Sequence, residues 1–317
     1  CVVIPAYNAA KFICDALDSI ALQTRRPDEI IIVDDGSTDN TYELIAAWKK
    51  NNDLAVRVIS QENAGLPAAR NAAIKNTRRG WIALLDADDI WCSDHLAVLE
   101  SAVINFPDSV LVFGDIYIFS ENTMITKWFS KEKAMAVGVQ QSEGECYQLD
   151  AGLYKSLVPG NYIAPSSIMF SREAAASIHF FDESLCVIED RDFLLRLSKL
   201  GKFIYTKNIT VGCREHDANI TNEKNALRNH YFVFRVLKKM LNNSDQLALD
   251  SSEQALTKKE LSVTAGNLIY SASTKGLGAY VKAMHFLLRN KIYQVAFNPK
   301  YFIRALFFSL NGAVQNG

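Results

Sequence analysis

No charge of one sign dominates this chain: 34 Lys and Arg stand against 35 Asp and Glu, a formal net charge of −1 over 317 residues. That balance gives no sign of a nucleic-acid partner, and none is expected. No uninterrupted apolar run approaches the roughly 18 residues of a membrane-spanning helix. The six cysteines, Cys1, Cys14, Cys92, Cys146, Cys186 and Cys213, form no C-x-x-C pair. They read as reduced, mostly buried thiols of a cytosolic protein rather than as disulfides or a zinc site. Neither G-x-G-x-x-G nor G-x-x-x-x-G-K-[ST] occurs, so dinucleotide and P-loop readings lose their main support. No secretory leader is visible. The chain opens at Cys1 inside an apolar run and without Met, as expected of a trimmed start.

What is present is ordinary globular composition, 49% hydrophobic and 22% charged, enough for one large domain or two smaller ones. The first ninety residues alternate strand and helix. Cys1–Pro5, Glu29–Val33, Val56–Ser60 and Trp81–Leu85 read as strands, the first as a continuous apolar run covered on both faces and the second as another buried strand. Lys11–Gln23 and Asn40–Lys50 have helical spacing, and Pro67 starts a third helix where its missing N–H costs nothing. This is the alternation of an α/β fold with a parallel sheet. Further on, Val110–Phe113, Ile116–Phe119 and Ser166–Phe170 read as strands and Asp190–Leu200 as an amphipathic helix stopped by Gly201. From about Asn222 the pattern is helical throughout. Thr221–Gly317 carries 13 Lys and Arg against 5 Asp and Glu, a basic tail behind an acidic front.

Ligands of such sheets bind at the carboxyl ends of the strands. Asp86-Ala87-Asp88, beside Asp89, follows the fourth strand. Two carboxylates on a short turn repel each other unless something positive sits between them. Mg²⁺ and Mn²⁺ take oxygen ligands, and Mg²⁺ commonly joins one or two carboxylates to substrate phosphates. The turn reads as a metal–diphosphate clamp, or else as an acidic turn capping the next helix. Asp34 to Asp39 follows the second strand, with Gly36 permitting a tight turn. A carboxylate here can accept a hydrogen bond from the imide of a uracil or the amide of another base; Thr38 or Asp39 also reads as a helix cap. Arg70, one turn into its helix, can reach a phosphate or base edge, or pair with one of the aspartates.

Taken in order, Cys1 to Asn8, Asp34 to Asp39, Asn63 to Asn71, Asp86 to Asp89, Phe181-Asp182-Glu183 with Glu189 to Leu197, and Arg214-Glu215-His216 with Asn219-Ile220-Thr221 resemble family 2 glycosyltransferases of the bacterial surface-polysaccharide type. The resemblance covers residues 1–221. It implies a GT-A fold, a Rossmann-like and mostly parallel sheet flanked by helices, with 1–108 as the nucleotide-binding half, 109–221 as the acceptor-binding half and 222–317 as a C-terminal helical extension. It implies an inverting transfer of a hexose or N-acetylhexosamine from a nucleoside-diphosphate sugar, UDP-sugar first, to a hydroxyl of a saccharide or lipid-linked saccharide, assisted by Mn²⁺ or Mg²⁺. Position by position, Pro5, Ala6 and Tyr7 line the nucleotide pocket. Asp35 binds the base with Arg70 nearby. Asp86 contacts ribose or sugar beside Ala87, and Asp88 holds the metal. Asp190 is the general base, and His216 approaches the metal or diphosphate. His179-Phe180 departs from the glycine pair that many members carry before Phe181.

Alternatives stay open on the residues alone. Asp190 also reads as a helix cap, and His216 as a polar loop residue. A nucleotidyltransferase making the sugar nucleotide would want a Gly-rich basic loop where Ala6-Tyr7-Asn8-Ala9-Ala10-Lys11 stands. A non-catalytic partner subunit would lose Asp86-Ala87-Asp88 or the Glu189-Asp190 pair, and both are present. The basic tail, ending in Tyr301-Phe302-Ile303 and Leu306-Phe307-Phe308, fits a peripheral membrane contact, a cap on the catalytic domain, or a homo-oligomer interface. A cytoplasmic location, at the inner membrane face if the tail touches lipid, is the expectation.

Overall fold

The computed structural model describes residues 1–120, 123–128, 130–150, 152–216, 225–293 and 299–314. The chain divides into two units, Cys1–His216 and Asp217–Gly317.

The first unit begins with β1 (Val2–Ala6), β2 (Ile30–Asp34), β3 (Val56–Ser60) and β4 (Trp81–Leu84), all parallel and ordered β3-β2-β1-β4. Every residue of β1 and β2 is buried, which is why their Val and Ile runs have no polar alternate face. The connecting helices are α1 (Ile13–Ala21), α2 (Thr41–Lys50) and α3 (Leu66–Lys75). α1 buries Ile13, Ala16, Leu17 and Ile20 at helical spacing. α2 buries Ile45 and Trp48, and the Trp48 indole N–H donates to Asp18 of α1 at 2.7 Å.

Seven strands extend this sheet: β5 (Ile90–Trp91), β6 (Ser109–Ser120), β7 (Thr123–Trp128), β8 (Val139–Glu143), β9 (Cys146–Leu149), β10 (Ile168–Ser171) and β11 (Lys202–Arg214). The full order is β3-β2-β1-β4-β10-β6-β11-β9-β8, with β5 on β11 and β7 on β6. β10 enters antiparallel between β4 and β6, and β11 runs parallel to β6. The helices here are α4 (His95–Asn105), α5 (Ser130–Val137), α6 (Leu153–Leu157), α7 (Arg172–Ser177) and α8 (Glu189–Leu197).

Two local expectations change. β6 is one strand rather than two. Gly114, in its middle, lies where β11 shifts register, and a Cβ there would stand 3.0 Å from the Asn208 carbonyl oxygen. The glycine therefore marks a close approach, not a break. α8 starts at Glu189 behind Ile188, whose φ is 65° and whose side chain makes no cap bond. Asp190 is thus inside the first turn and is not the cap.

The second unit is helical: α9 (Ala226–Asn242), α10 (Ser251–Ser273), α11 (Leu277–Arg289) and α12 (Pro299–Val314). Asp250 and Glu253 form a reciprocal capping box at the start of α10. Phe234, Leu237, Met240, Ala265, Ile269 and Leu287 are fully buried, so the unit has a core of its own. No described helix is long and apolar enough to cross a membrane.

Candidate active site

The chemistry gathers at the carboxyl ends of β1, β2 and β4. Pro5 and Ala6 close β1 and are buried, while Tyr7 just beyond is 52% exposed. Asn8, at φ 49°, accepts from the Thr38 N–H at 2.8 Å through Oδ1, and its own N–H donates to Ser37 Oγ at 3.0 Å. The loops after β1 and β2 are thereby tied together.

Asp35 holds the next loop. Its Oδ1 accepts from Gln61 Nε2 at 2.6 Å and the Ala64 N–H at 2.9 Å, and its Oδ2 from the Gly65 N–H at 2.8 Å. Gly36 makes this possible: its φ is 74°, and a Cβ there would fall 2.8 Å from the Asn63 nitrogen. Asp35 is therefore a loop pillar, with one lone pair left over on Oδ2, since each carboxylate oxygen carries two.

Arg70 is the centre of the site. It is completely buried, yet its two terminal nitrogens meet carboxylates from distant parts of the chain. Nη2 donates to Asp86 Oδ1 and Nη1 to Glu189 Oε1, each at 2.7 Å. Burial alone would lower its pKa, but Asp86 and Glu189 more than offset that and hold it above the ordinary value. The guanidinium also lies 5.4 Å from the centre of the Phe181 ring, within cation–π range. One cation thus joins the turn after β4 to the first residue of α8.

Around this cation the other acids fall into place. Asp88 meets His216 Nε2 at 3.0 Å, and the imidazole stacks on Phe12 with ring centres 4.7 Å apart. Burial, followed by the neighbouring Asp86 charge, pushes the Asp88 pKa up, while His216 pulls it the other way. Ala87 between the two aspartates is buried. Asp89 points inward: it accepts from Ser166 Oγ at 2.6 Å and from the Arg214 N–H at 3.0 Å. Burial, then Asp88 and Asp86, push it to about 8. Ser166 also accepts from the Asp86 N–H at 3.1 Å, so both ends of the acidic turn are fixed.

Asp190 accepts from Asn161 Nδ2 at 2.7 Å through Oδ2, and from the Arg191 N–H at 2.7 Å through Oδ1. Asn161 is itself locked, its Oδ1 taking the Ile163 N–H at 2.9 Å. Glu189, beside Asp190, is pushed up to about 7 by burial, with Arg70 pulling it down and Asp190 and Asp86 pushing it further up.

The structure therefore brings Arg70, Asp86, Glu189 and, through its neighbour, Asp190 around one centre, with Asp88 and His216 paired two residues from Asp86. Asn219, Ile220 and Thr221 lie outside the described residues. Among the described residues no three Asp, Glu, His or Cys side chains converge as a metal site; the Asp88–His216 pair offers two donors. Sequence reasoning passed over Asn161, Ser166 and Phe12, none of which sits in a recognisable motif. Glu189 had a visible signal, as the neighbour of Asp190.

Residues 1–161 match the family described as Glycosyl transferase family 2. Glycosyltransferase GlyA of Streptococcus pneumoniae serotype 4 is 35% identical over 121 residues, 38% of this chain and 17% of GlyA. The chondroitin synthase of Pasteurella multocida is 31% identical over 251 residues, 73% of this chain and 22% of the synthase. This chain thus spans about a fifth of the length of these relatives or less. The crystal structure of S. aureus TarS 1-349 in complex with UDP-GlcNAc is similar in fold, with a TM-score of 0.62 at 17% identity over 93% of this chain and 88% of that one.

Proposed function

The chain belongs to glycosyl transferase family 2, and on that premise we propose that it moves a hexose or N-acetylhexosamine from a nucleoside-diphosphate sugar, UDP-sugar first, to a hydroxyl of a saccharide or lipid-linked saccharide. The first unit has the GT-A fold. The observation that carries the reading is the Arg70 bridge, which fastens the acidic turn and the Asp190 helix to one cation. Donor diphosphate and acceptor hydroxyl can then meet between Asp88 and Asp190. A chondroitin synthase among the relatives and a UDP-GlcNAc complex among the similar folds support a saccharide product and a nucleotide-sugar donor.

In this reading Pro5, Ala6, Tyr7 and Asp35 line the nucleoside, and Asp86 faces ribose or sugar beside Ala87. Arg70 has no exposed surface from which to touch a base, so it acts by positioning Asp86 and Glu189. Asp88 and His216 would hold a divalent ion, Mn²⁺ or Mg²⁺. Both are oxygen or nitrogen donors of the kind such an ion takes, and they already face one another through a 3.0 Å hydrogen bond that the ion would replace. When bound, such an ion supplies Lewis-acid neutralisation of the charge on the departing diphosphate. Asp190 takes the proton from the acceptor hydroxyl as that oxygen attacks the anomeric carbon. The new C–O bond forms opposite the breaking bond to the diphosphate oxygen, which leaves with its electron pair, and the anomeric centre inverts.

The proposed setting is cytoplasmic, at the inner membrane face if the tail touches lipid. On α12, Phe302, Ile303, Phe307 and Leu310 are 45%, 66%, 60% and 69% exposed, a stripe suited to peripheral contact with lipid or a second copy.

The test is donor turnover and calorimetry with UDP, with and without Mn²⁺. Asp190→Asn is expected to lower transfer by about 10²–10⁴-fold while UDP binding stays nearly intact; unchanged turnover removes Asp190 from the base role. Asp88→Ala is expected to lose the Mn²⁺-dependent part of UDP affinity, and an unaltered affinity removes it from the ligand shell.

A further inference from the structure

His216 stands just past β11, next to the Glu215 N–H that donates to the Phe119 carbonyl at 2.8 Å. Its Nε2 meets Asp88 at 3.0 Å. A hydrogen bond through one nitrogen still lets an imidazole tilt. A stack on its face holds the ring plane, and the lone pair that a metal ion takes from Nε2 lies in that plane. Phe12 provides the stack: the two ring centres are 4.7 Å apart and the planes 23° apart, an aromatic pair in the favourable range.

The placement of Phe12 is not explained by helix capping or by the core. Helix N-caps favour Ser, Thr, Asp or Asn, whose side-chain oxygen takes a free N–H. Phe12 stands at that position of α1 and supplies none. It is half-buried, whereas Ile13 beside it is fully buried and does the packing. The ring instead faces the acidic turn: the Arg214 guanidinium lies 5.0 Å from its centre, and Arg214 Nε donates to the Asp88 carbonyl at 3.0 Å. Phe12 is held in turn from the loop after β1. Its N–H donates to the Ala9 carbonyl at 2.9 Å, and the Ala9 N–H donates to Thr41 Oγ1 at 2.8 Å. That loop starts at Tyr7, so the ring joins the nucleoside side of the site to the Asp88–His216 corner.

We propose that Phe12 is a positioning residue for the metal donors, its ring holding the His216 imidazole in the plane from which Nε2 and Asp88 meet one ion. The inference rests on the assignment of a divalent ion to Asp88 and His216. Phe12 itself touches neither the ion nor the donor sugar. Partners that orient a metal ligand are worth about 10–100-fold in metal affinity. Loss of the ring belongs at the lower end of that range, because both donors stay in the chain.

The experiment is calorimetry of UDP binding to the full chain across Mn²⁺ concentrations and in EDTA. Phe12→Leu and Phe12→Ile keep an apolar side chain and remove the ring; far-UV circular dichroism and the melting temperature check folding, and either variant suffices. The expected result is a Mn²⁺ midpoint raised about tenfold, with UDP affinity in EDTA unchanged. Phe12→Tyr, which keeps the ring, should lie within about twofold of the parent. His216→Ala should raise the midpoint at least as far, and removing the ring in that background should add less than it does in the parent. An unmoved midpoint without the ring, beside a moved one in His216→Ala, overturns the role of Phe12 and leaves the metal assignment standing. An unmoved midpoint in His216→Ala, or no Mn²⁺ effect in the parent, overturns the metal assignment and the role of Phe12 with it. UDP affinity lost equally in EDTA and in Mn²⁺, no recovery in Phe12→Tyr, or the same added shift in both backgrounds would each make Phe12 a loop residue only.

Discussion

Asp190, the proposed general base, is held by a neighbour the motif does not contain. The Asn161 amide donates to it at 2.7 Å, which fixes the carboxylate plane. Asn161→Ala is expected to lower kcat by about 10–100-fold with little change in donor KM. An unchanged kcat, or a rise in donor KM that accounts for the whole loss, would make Asn161 a loop residue only. Glu189 carries a pH signature. Its pKa in the fold is about 7, against about 4.3 in an unfolded chain. Between those values the folded chain keeps a proton that the unfolded chain has lost, so this group makes stability fall as pH rises, by at most about 1.4 kcal/mol per pH unit. Glu189→Gln, which keeps an acceptor for Arg70, should flatten urea-unfolding stability between about pH 4.5 and 7 relative to the parent. The same slope in both proteins would place the titration elsewhere.

Between elements, Arg70 connects α3, the turn after β4 and α8. Removing it strands two carboxylates, Asp86 and the buried Glu189, without their cation. Arg70→Met should therefore cost about 3–5 kcal/mol, seen as a lower urea midpoint at unchanged slope. A loss below about 1 kcal/mol would mean that water reaches the pair, as for surface ion pairs. The elements that Arg70 joins were legible in the sequence to different degrees. β1 and β2 were readable because both of their faces are buried, which forces an unbroken apolar run. β6 was read as two strands because a glycine inside a strand looks the same whether it ends the strand or admits a neighbour. The aspartates at the strand ends were readable because strand order alone puts them on one edge. The Arg70–Glu189 contact was not, since it spans 119 residues and no local pattern encodes it. His179-Phe180, noted as a departure from a glycine pair, keeps the glycine-like backbone: both residues have φ near 60°. The turn is thus retained at a strain cost of about 1–2 kcal/mol per residue.

For the molecule as a whole, the charge asymmetry along the sequence and the division into a sheet unit and a helical unit fall in the same region of the chain. Each unit has a buried core: Ile4, Ile32, Leu84 and Val112 in the sheet unit, Phe234, Leu237, Ile269 and Leu287 in the helical one. Two separate cores predict two unfolding events rather than one. Every residue assigned to the donor belongs to Cys1–His216. UDP with Mn²⁺ at about a hundred times its Kd should therefore raise only the sheet unit's transition, by about 5–10 °C for about 2.7 kcal/mol of linkage. The helical transition should stay where it was. Arg70→Met should lower the ligand-sensitive transition alone, which identifies it independently of ligand. Calorimetry that shows one transition, with its calorimetric and van't Hoff enthalpies equal and moved as a block by UDP, would mean that the cores unfold together and that the helical unit shares the energetics of the catalytic site.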